Sequence, residues 1–154
     1  MALDPLGTGH VATAVAALAA GTAVAIVRKG TRWHRWLGRG YCFTMLGLNG
    51  TALAIYNLTG RANLFHCFAL LSLCTLGVGW SAVIRRRPGW RLRHARTMLW
   101  SYVGLLAATA SELAVRVPGA FHSWRGFGFV VGAATLMVCG MGALQIRRAL
   151  ARIG

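Results

Sequence analysis

Long apolar runs separated by short arginine-rich stretches make up this chain from end to end. Five runs, at roughly 7–27, 36–58, 62–84, 94–115 and 126–146, each reach the length of about 20 residues that a helix needs to cross a bilayer core. Lipid offers backbone amides no hydrogen-bond partners, and the runs lack the alternation of barrel strands, so each is predicted to be a helix. The second and third are separated only by "TGRA" (59–62), which predicts an antiparallel hairpin. The first run is alanine-rich, has no basic segment ahead of it and is followed by "RKG". That order is the reverse of a secretory signal peptide, so the run is read as a retained helix. The expected fold class is therefore all-α: a polytopic transmembrane helix bundle of five spans forming one integral membrane domain over 1–154.

Composition strengthens this reading. Of 154 residues 56% are hydrophobic and only 12% charged, about half the charged share of a typical soluble domain. A net charge of +15 raises the question of nucleic acid, but the cations are confined to connectors rather than spread over a face, which excludes a nucleic-acid partner. Their placement instead sets orientation. Arg28, Lys29, Arg32, Arg35 and Arg39 occupy the first connector, Arg85, Arg86, Arg87, Arg91, Arg93 and Arg96 the third, and Arg147, Arg148 and Arg152 the C-terminus. Only Arg61, Arg116 and Arg125 fall on the other side. Cytoplasmic loops carry the Lys/Arg excess, so the N-terminus is expected outside and the C-terminus inside, as in a multi-pass protein of a bacterial inner membrane. Trp33, Trp36, Trp80, Trp90 and Trp100 would form the inner aromatic belt and Trp124 the outer one. The stretch "TRWHRWLGRGY" (31–41) is thus an orientation collar.

Small residues suggest where helices approach closely: Ala14, Ala17 and Gly21 in the first run, Ser101, Gly104 and Ala108 in the fourth, and a GxxxG at Gly128 and Gly132 in the fifth. Asn49, in the middle of the second run, is expected to bond a neighbouring helix. Cys42, Cys67, Cys74 and Cys139 show no CxxC spacing and read as unpaired thiols acting as small apolar residues.

The histidines carry the candidate chemistry. His10 and His66 lie just inside the outer ends of runs one and three, whereas His34 and His94 begin runs two and four at the basic side. His10 and His34 are 24 residues apart and His66 and His94 are 28 apart, so the same layout occurs twice. Imidazoles of facing helices are standard axial ligands of haem iron. His10 with His66, and His34 with His94, are the candidate pairs for haem b, with Arg35, Arg39 and Arg96 available to haem propionates. This layout is similar to that of transmembrane di-haem b-type cytochromes. The bland alternative makes His34 and His94 interfacial side chains among arginines. At the outer side, His10, His66, Glu112 and His122 form an alternative set suited to zinc or another divalent cation. Glu112 has a simpler reading as the i,i+4 ion-pair partner of Arg116. No nucleophile motif, phosphate loop or dinucleotide fingerprint is present in the sequence.

"HRWLGRGY" after the first run and "HARTMLWSYVGLLAATASELAVR" opening the fourth resemble the bacterial membrane proteins grouped as domain of unknown function 2306. In that family a helix-one histidine precedes an HR-x-x-GR-x-Y connector, and a later helix begins H-x-x-x-M. The matching positions are His10, then His34, Arg35, Gly38, Arg39 and Tyr41, then His94 and Met98. The resemblance covers roughly 7–116, and it departs from the family in a short second connector and in Ala95, where a second basic residue is frequent. It implies a polytopic helical membrane protein and no particular activity.

Three functions follow as expectations. The first is a haem-b electron-transfer protein with a membrane quinone as partner. The second is a non-catalytic accessory subunit of a larger membrane complex, surrounded by lipid and other subunits. The third is an outer-face divalent-metal site. Whether the chain is an enzyme stays open at this point.

Overall fold

A computed structural model describes residues 4–56, 60–119 and 123–150. These residues form five α-helices: α1 (Pro5–Ile26), α2 (Arg32–Ala54), α3 (Leu64–Arg85), α4 (Trp90–Ala114) and α5 (Trp124–Leu150), with no strand among the described residues. Three of them, α1, α3 and the 125–148 portion of α5, are long and apolar enough to cross a membrane. The first turns of α2 and α4 carry Arg32, Arg35 and Arg39, and Arg91, Arg93 and Arg96, which lower the apolar content of helices otherwise of spanning length. Both helices begin four residues ahead of the apolar runs they contain, so Arg32, Arg35 and Arg39, and Arg91 and Arg93, stand on helix, while Arg28, Lys29, Arg86 and Arg87 stay in the connectors.

Local chemistry explains these ends. Pro5 opens α1, where its missing N–H costs nothing. Thr31 caps α2 by accepting the His34 N–H at 3.2 Å. Lys29 closes α1 by donating to the carbonyls of Val24 and Ala25, both at 2.7 Å, and partial burial pulls its ammonium pKa below the ordinary lysine value. The join between α2 and α3 runs from Ile55 to Asn63, longer than the four-residue "TGRA" suggests, because Asn63 caps α3 and fixes its start.

The contacts gather into two compact units, Met1–Leu73 and Cys74–Gly154, so that α3 contributes its first part to one and its second part to the other. In the first unit α1 packs on α2. Ala17 and Gly21 are buried, and a side chain at Gly47 would stand 3.2 Å from Thr13 Cγ2. Asn49 Nδ2 donates across to Ser72 Oγ of α3 at 3.1 Å and to its own Met45 carbonyl at 2.7 Å, the interhelical role expected for it. In the second unit α4 packs on α5 around Phe127 and Val131. There the fully buried Ser111 bonds the Val131 carbonyl at 3.3 Å and Thr135 at 3.2 Å.

The glycine pattern departs from expectation in this unit. Gly104, Gly128 and Gly132 face open space, whereas Gly142 lies so close to Val103 that an added Cβ would meet its Cγ1 at 2.5 Å. A GxxxG spacing marks a face that tolerates close approach, but the face actually used depends on which side of α5 also carries Phe127 and Val131. Large apolar side chains elsewhere are exposed, Phe129 at 77% and Leu136 at 76% among them. Apolar surface of this extent belongs in lipid rather than water. All four cysteines are free thiols, Cys42 buried but Cys67 and Cys74 exposed.

Candidate functional site

The first unit holds three of the candidate histidines, of which His10 and His66 have the most defined settings. His10 sits in the second turn of α1, with Nδ1 2.9 Å from Thr51 Oγ1 of α2. The Thr51 hydroxyl has one proton and lies 3.0 and 2.9 Å from the carbonyls of Gly47 and Leu48. If that proton stays with its own helix, Oγ1 accepts the Nδ1–H of His10 and the ring lone pair is on Nε2. That tautomer is the one used by metal-ligating imidazoles whose other nitrogen is held by a second partner.

His66 is the third residue of α3 and is built into its cap. Asn63 Oδ1 accepts the Phe65 N–H at 2.9 Å, and the Asn63 N–H reaches back to His66 Nδ1 at 3.3 Å. This is a reciprocal capping box with histidine where glutamate or glutamine is usual. The ring also stacks at 4.7 Å on Tyr56. His66 is 93% buried, its exposure being 7%, and its Nε2 has no hydrogen-bond partner among the described residues. Two arrangements of the neutral ring are open to Nδ1. Either it accepts from the Asn63 amide and Nε2 carries a proton, or it donates to Asn63 Oδ1 at 3.4 Å and Nε2 carries the lone pair. Either way a polar atom is buried without satisfaction, at a cost of about 1–3 kcal/mol.

The other candidates are placed individually. His34 is the third residue of α2 in the first unit, and His94 the fifth of α4 in the second. His94 Nδ1 lies 3.0 Å from the Gly79 carbonyl, which can only accept, so this ring too carries its lone pair on Nε2. Arg35 donates to the Gly30 carbonyl at 3.3 Å, and the Arg39 guanidinium lies 5.4 Å from the Trp36 ring centre, so both serve their own collar. Arg96 is exposed on α4. Glu112 forms the expected i,i+4 ion pair with Arg116 at 2.6 Å, and the Arg116 guanidinium also donates to the Glu112 carbonyl at 2.8 Å. His122 and the Trp124 side chain lie outside the described residues. Among the described residues no group of three or more His, Cys, Asp or Glu side chains is gathered for a metal ion.

The partners that orient these rings, Thr51, Asn63 and Gly79, carry no signal of their own in the sequence except one. "NLFH" (63–66) immediately before an apolar run has the spacing of a capping box, and that spacing assigns His66 a role in starting the helix.

Helices of membrane-crossing length, with apolar side chains left facing outward and polar rings held by interhelical bonds, define a helical membrane protein. The chain belongs to the predicted membrane protein family designated domain of unknown function 2306, whose model matches residues 7–151. No curated protein and no solved structure matches the chain.

Proposed function

We propose that this is a five-crossing protein of the bacterial inner membrane that binds haem b between His10 and His66 and passes electrons, with a membrane quinone as redox partner. The observation that carries the reading is the buried Nε2 of His66, which has no hydrogen-bond partner among the described residues. A satisfied core histidine would not leave that nitrogen orphaned, and ligation at Nε2 removes the deficit. Ligation selects the arrangement in which Nδ1–H donates to Asn63 Oδ1. Asn63 then does for His66 what Thr51 does for His10, holding the far nitrogen so that Nε2 faces the ligand. Haem would supply one-electron chemistry, while the chain's own part is to fix two rings and keep water away from them.

The crossing count rests on helix length and charge. α2 has 23 residues and α4 has 25, about 34 and 37 Å at 1.5 Å per residue, enough to span. Arginines in their first turns can reach the headgroups while their stems stay in the apolar layer. Fourteen of the 17 Lys and Arg residues fall in the first and third connectors and the C-terminus, which supports an outside N-terminus.

The test is the absorption spectrum and iron content of the protein purified in detergent from haem-sufficient cells. A Soret band with low-spin α and β bands, and iron bound in near-equal amount to protein, is expected. Protein with neither pigment nor iron would reject haem binding and favour the role of an accessory membrane subunit.

A further inference from the structure

The turn between α3 and α4 holds a cavity of about 50 Å³ lined by Ser81, Ala82, Arg85, Arg87, Trp90 and Arg93. Three arginines therefore border one small space within the second unit. Among the described residues of the second unit the one carboxylate, Glu112, is paired with Arg116 and so is not shared with these arginines.

The turn has a defined backbone geometry. Arg86 (φ 45°) and Gly89 (φ 74°) both adopt the left-handed region, and Trp90 N–H donates to the Arg87 carbonyl at 2.9 Å. Trp90 lines the cavity, with the Arg86 and Arg91 guanidiniums 6.0 and 5.6 Å from its ring centre. Gly89 caps α4 without a side-chain hydrogen bond, so the first amides of that helix, at its positive end, also border the turn. Ser81 donates to the Val78 carbonyl at 2.9 Å, leaving the arginines as the recognising groups.

We propose that this cavity binds a phosphate group. Three arginines offer more N–H donors than the two oxygens of a carboxylate can use, which favours the three or more oxygens of a phosphate. The site also lies at the basic end of an apolar helix, where phospholipid headgroups are found, and basic pockets of this kind take anionic headgroups. The phosphate can come from an anionic phospholipid or from free inorganic phosphate. The proposal is independent of haem binding.

The experiment uses the full chain in nanodiscs, read by native mass spectrometry and thermal unfolding. In discs of mixed phosphatidylcholine and phosphatidylglycerol, the released protein is expected to retain phosphatidylglycerol. R87Q/R93Q should retain it at least about tenfold more weakly, whereas R147Q/R148Q, with the same charge loss at the end of α5, should match the parent. R87K/R93K, which keeps charge and loses the fork, guards against misfolding of the glutamine variant and should also bind more weakly. In phosphatidylcholine discs, a rise in unfolding temperature with added inorganic phosphate but not chloride, present in the parent and lost in R87K/R93K, assigns the site to free phosphate. Equal loss of lipid in the pocket and α5 variants would show general surface charge and overturn the proposal. So would the absence of both lipid retention and phosphate protection.

Discussion

The carbonyl of Gly79 in α3 accepts the ring Nδ1–H of His94 in α4 at 3.0 Å, across a glycine that could not carry a side chain without meeting α4. An added Cβ there would stand 2.5 Å from Met98 Sδ and 2.9 Å from Thr97 Oγ1. His94 and Met98 are one turn apart on α4, so the H-x-x-x-M spacing presents both to the same point of α3. The motif thus has a packing meaning besides any chemistry at His94 Nε2.

Glycine substitutions should rank by what the new methyl meets. At Gly142 it meets the branched, stiff Val103 side chain, and Gly142→Ala should cost about 1–3 kcal/mol. At Gly79 it meets the flexible end of Met98 and also the stiff Thr97 side chain, so Gly79→Ala should likewise cost about 1–3 kcal/mol. Gly128 faces open space, and Gly128→Ala should be neutral or stabilise by up to about 1 kcal/mol through helix propensity. Unfolding midpoints in mixed micelles with increasing dodecyl sulfate check the order.

The capping and ligand roles of His66 can be separated. Glutamine at this position still accepts the Asn63 N–H, so His66→Gln should leave helix content and stability within about 0.5 kcal/mol of the parent. Asn63→Ala removes the cap on Phe65 N–H and should cost about 1 kcal/mol. Circular dichroism during thermal unfolding reads both.

Thr51 is expected to act as a positioning residue for His10. Thr51→Val keeps the shape and removes the acceptor for Nδ1–H, and haem affinity should fall about 10–100-fold with fold and sidedness unchanged. Thr44→Val in the same helix, whose hydroxyl bonds the backbone carbonyls of Gly40 and Tyr41 at 3.0 Å, should leave affinity unaltered. Haem titration followed at the Soret band distinguishes the two.

Arg86 occupies a left-handed conformation that suits glycine. Arg86→Gly should relieve strain and, after the added freedom of the unfolded chain, stabilise by up to about 1 kcal/mol. The same micellar unfolding assay measures it.

Much of this architecture could be read from hydropathy alone because helix length in lipid is set by bilayer thickness, and the five helices lie within a few residues of the five apolar runs. Caps governed the discrepancies. Thr31 starts α2 inside the basic collar, and Asn63 holds α3 two residues later than its apolar run begins. The buried Ala17 and Gly21 and the Asn49–Ser72 bond followed from residue type. The use of Gly142 in place of Gly128 and Gly132 did not, since small-residue spacing does not say which face of α5 turns inward. At the candidate site the histidines were visible as residues, but their tautomers depend on a threonine, an asparagine and a glycine carbonyl brought close only by folding.

The most direct measurement is a reduced-minus-oxidised difference spectrum of membranes containing the parent chain, His10→Ala or His66→Gln at matched expression. Axial ligation by both rings requires the parent to show the sharp α band of low-spin haem b, and each single variant to lose it while remaining folded in the membrane. An unchanged α band in either variant, or none in the parent, would contradict the assignment of these two imidazoles as ligands of one haem.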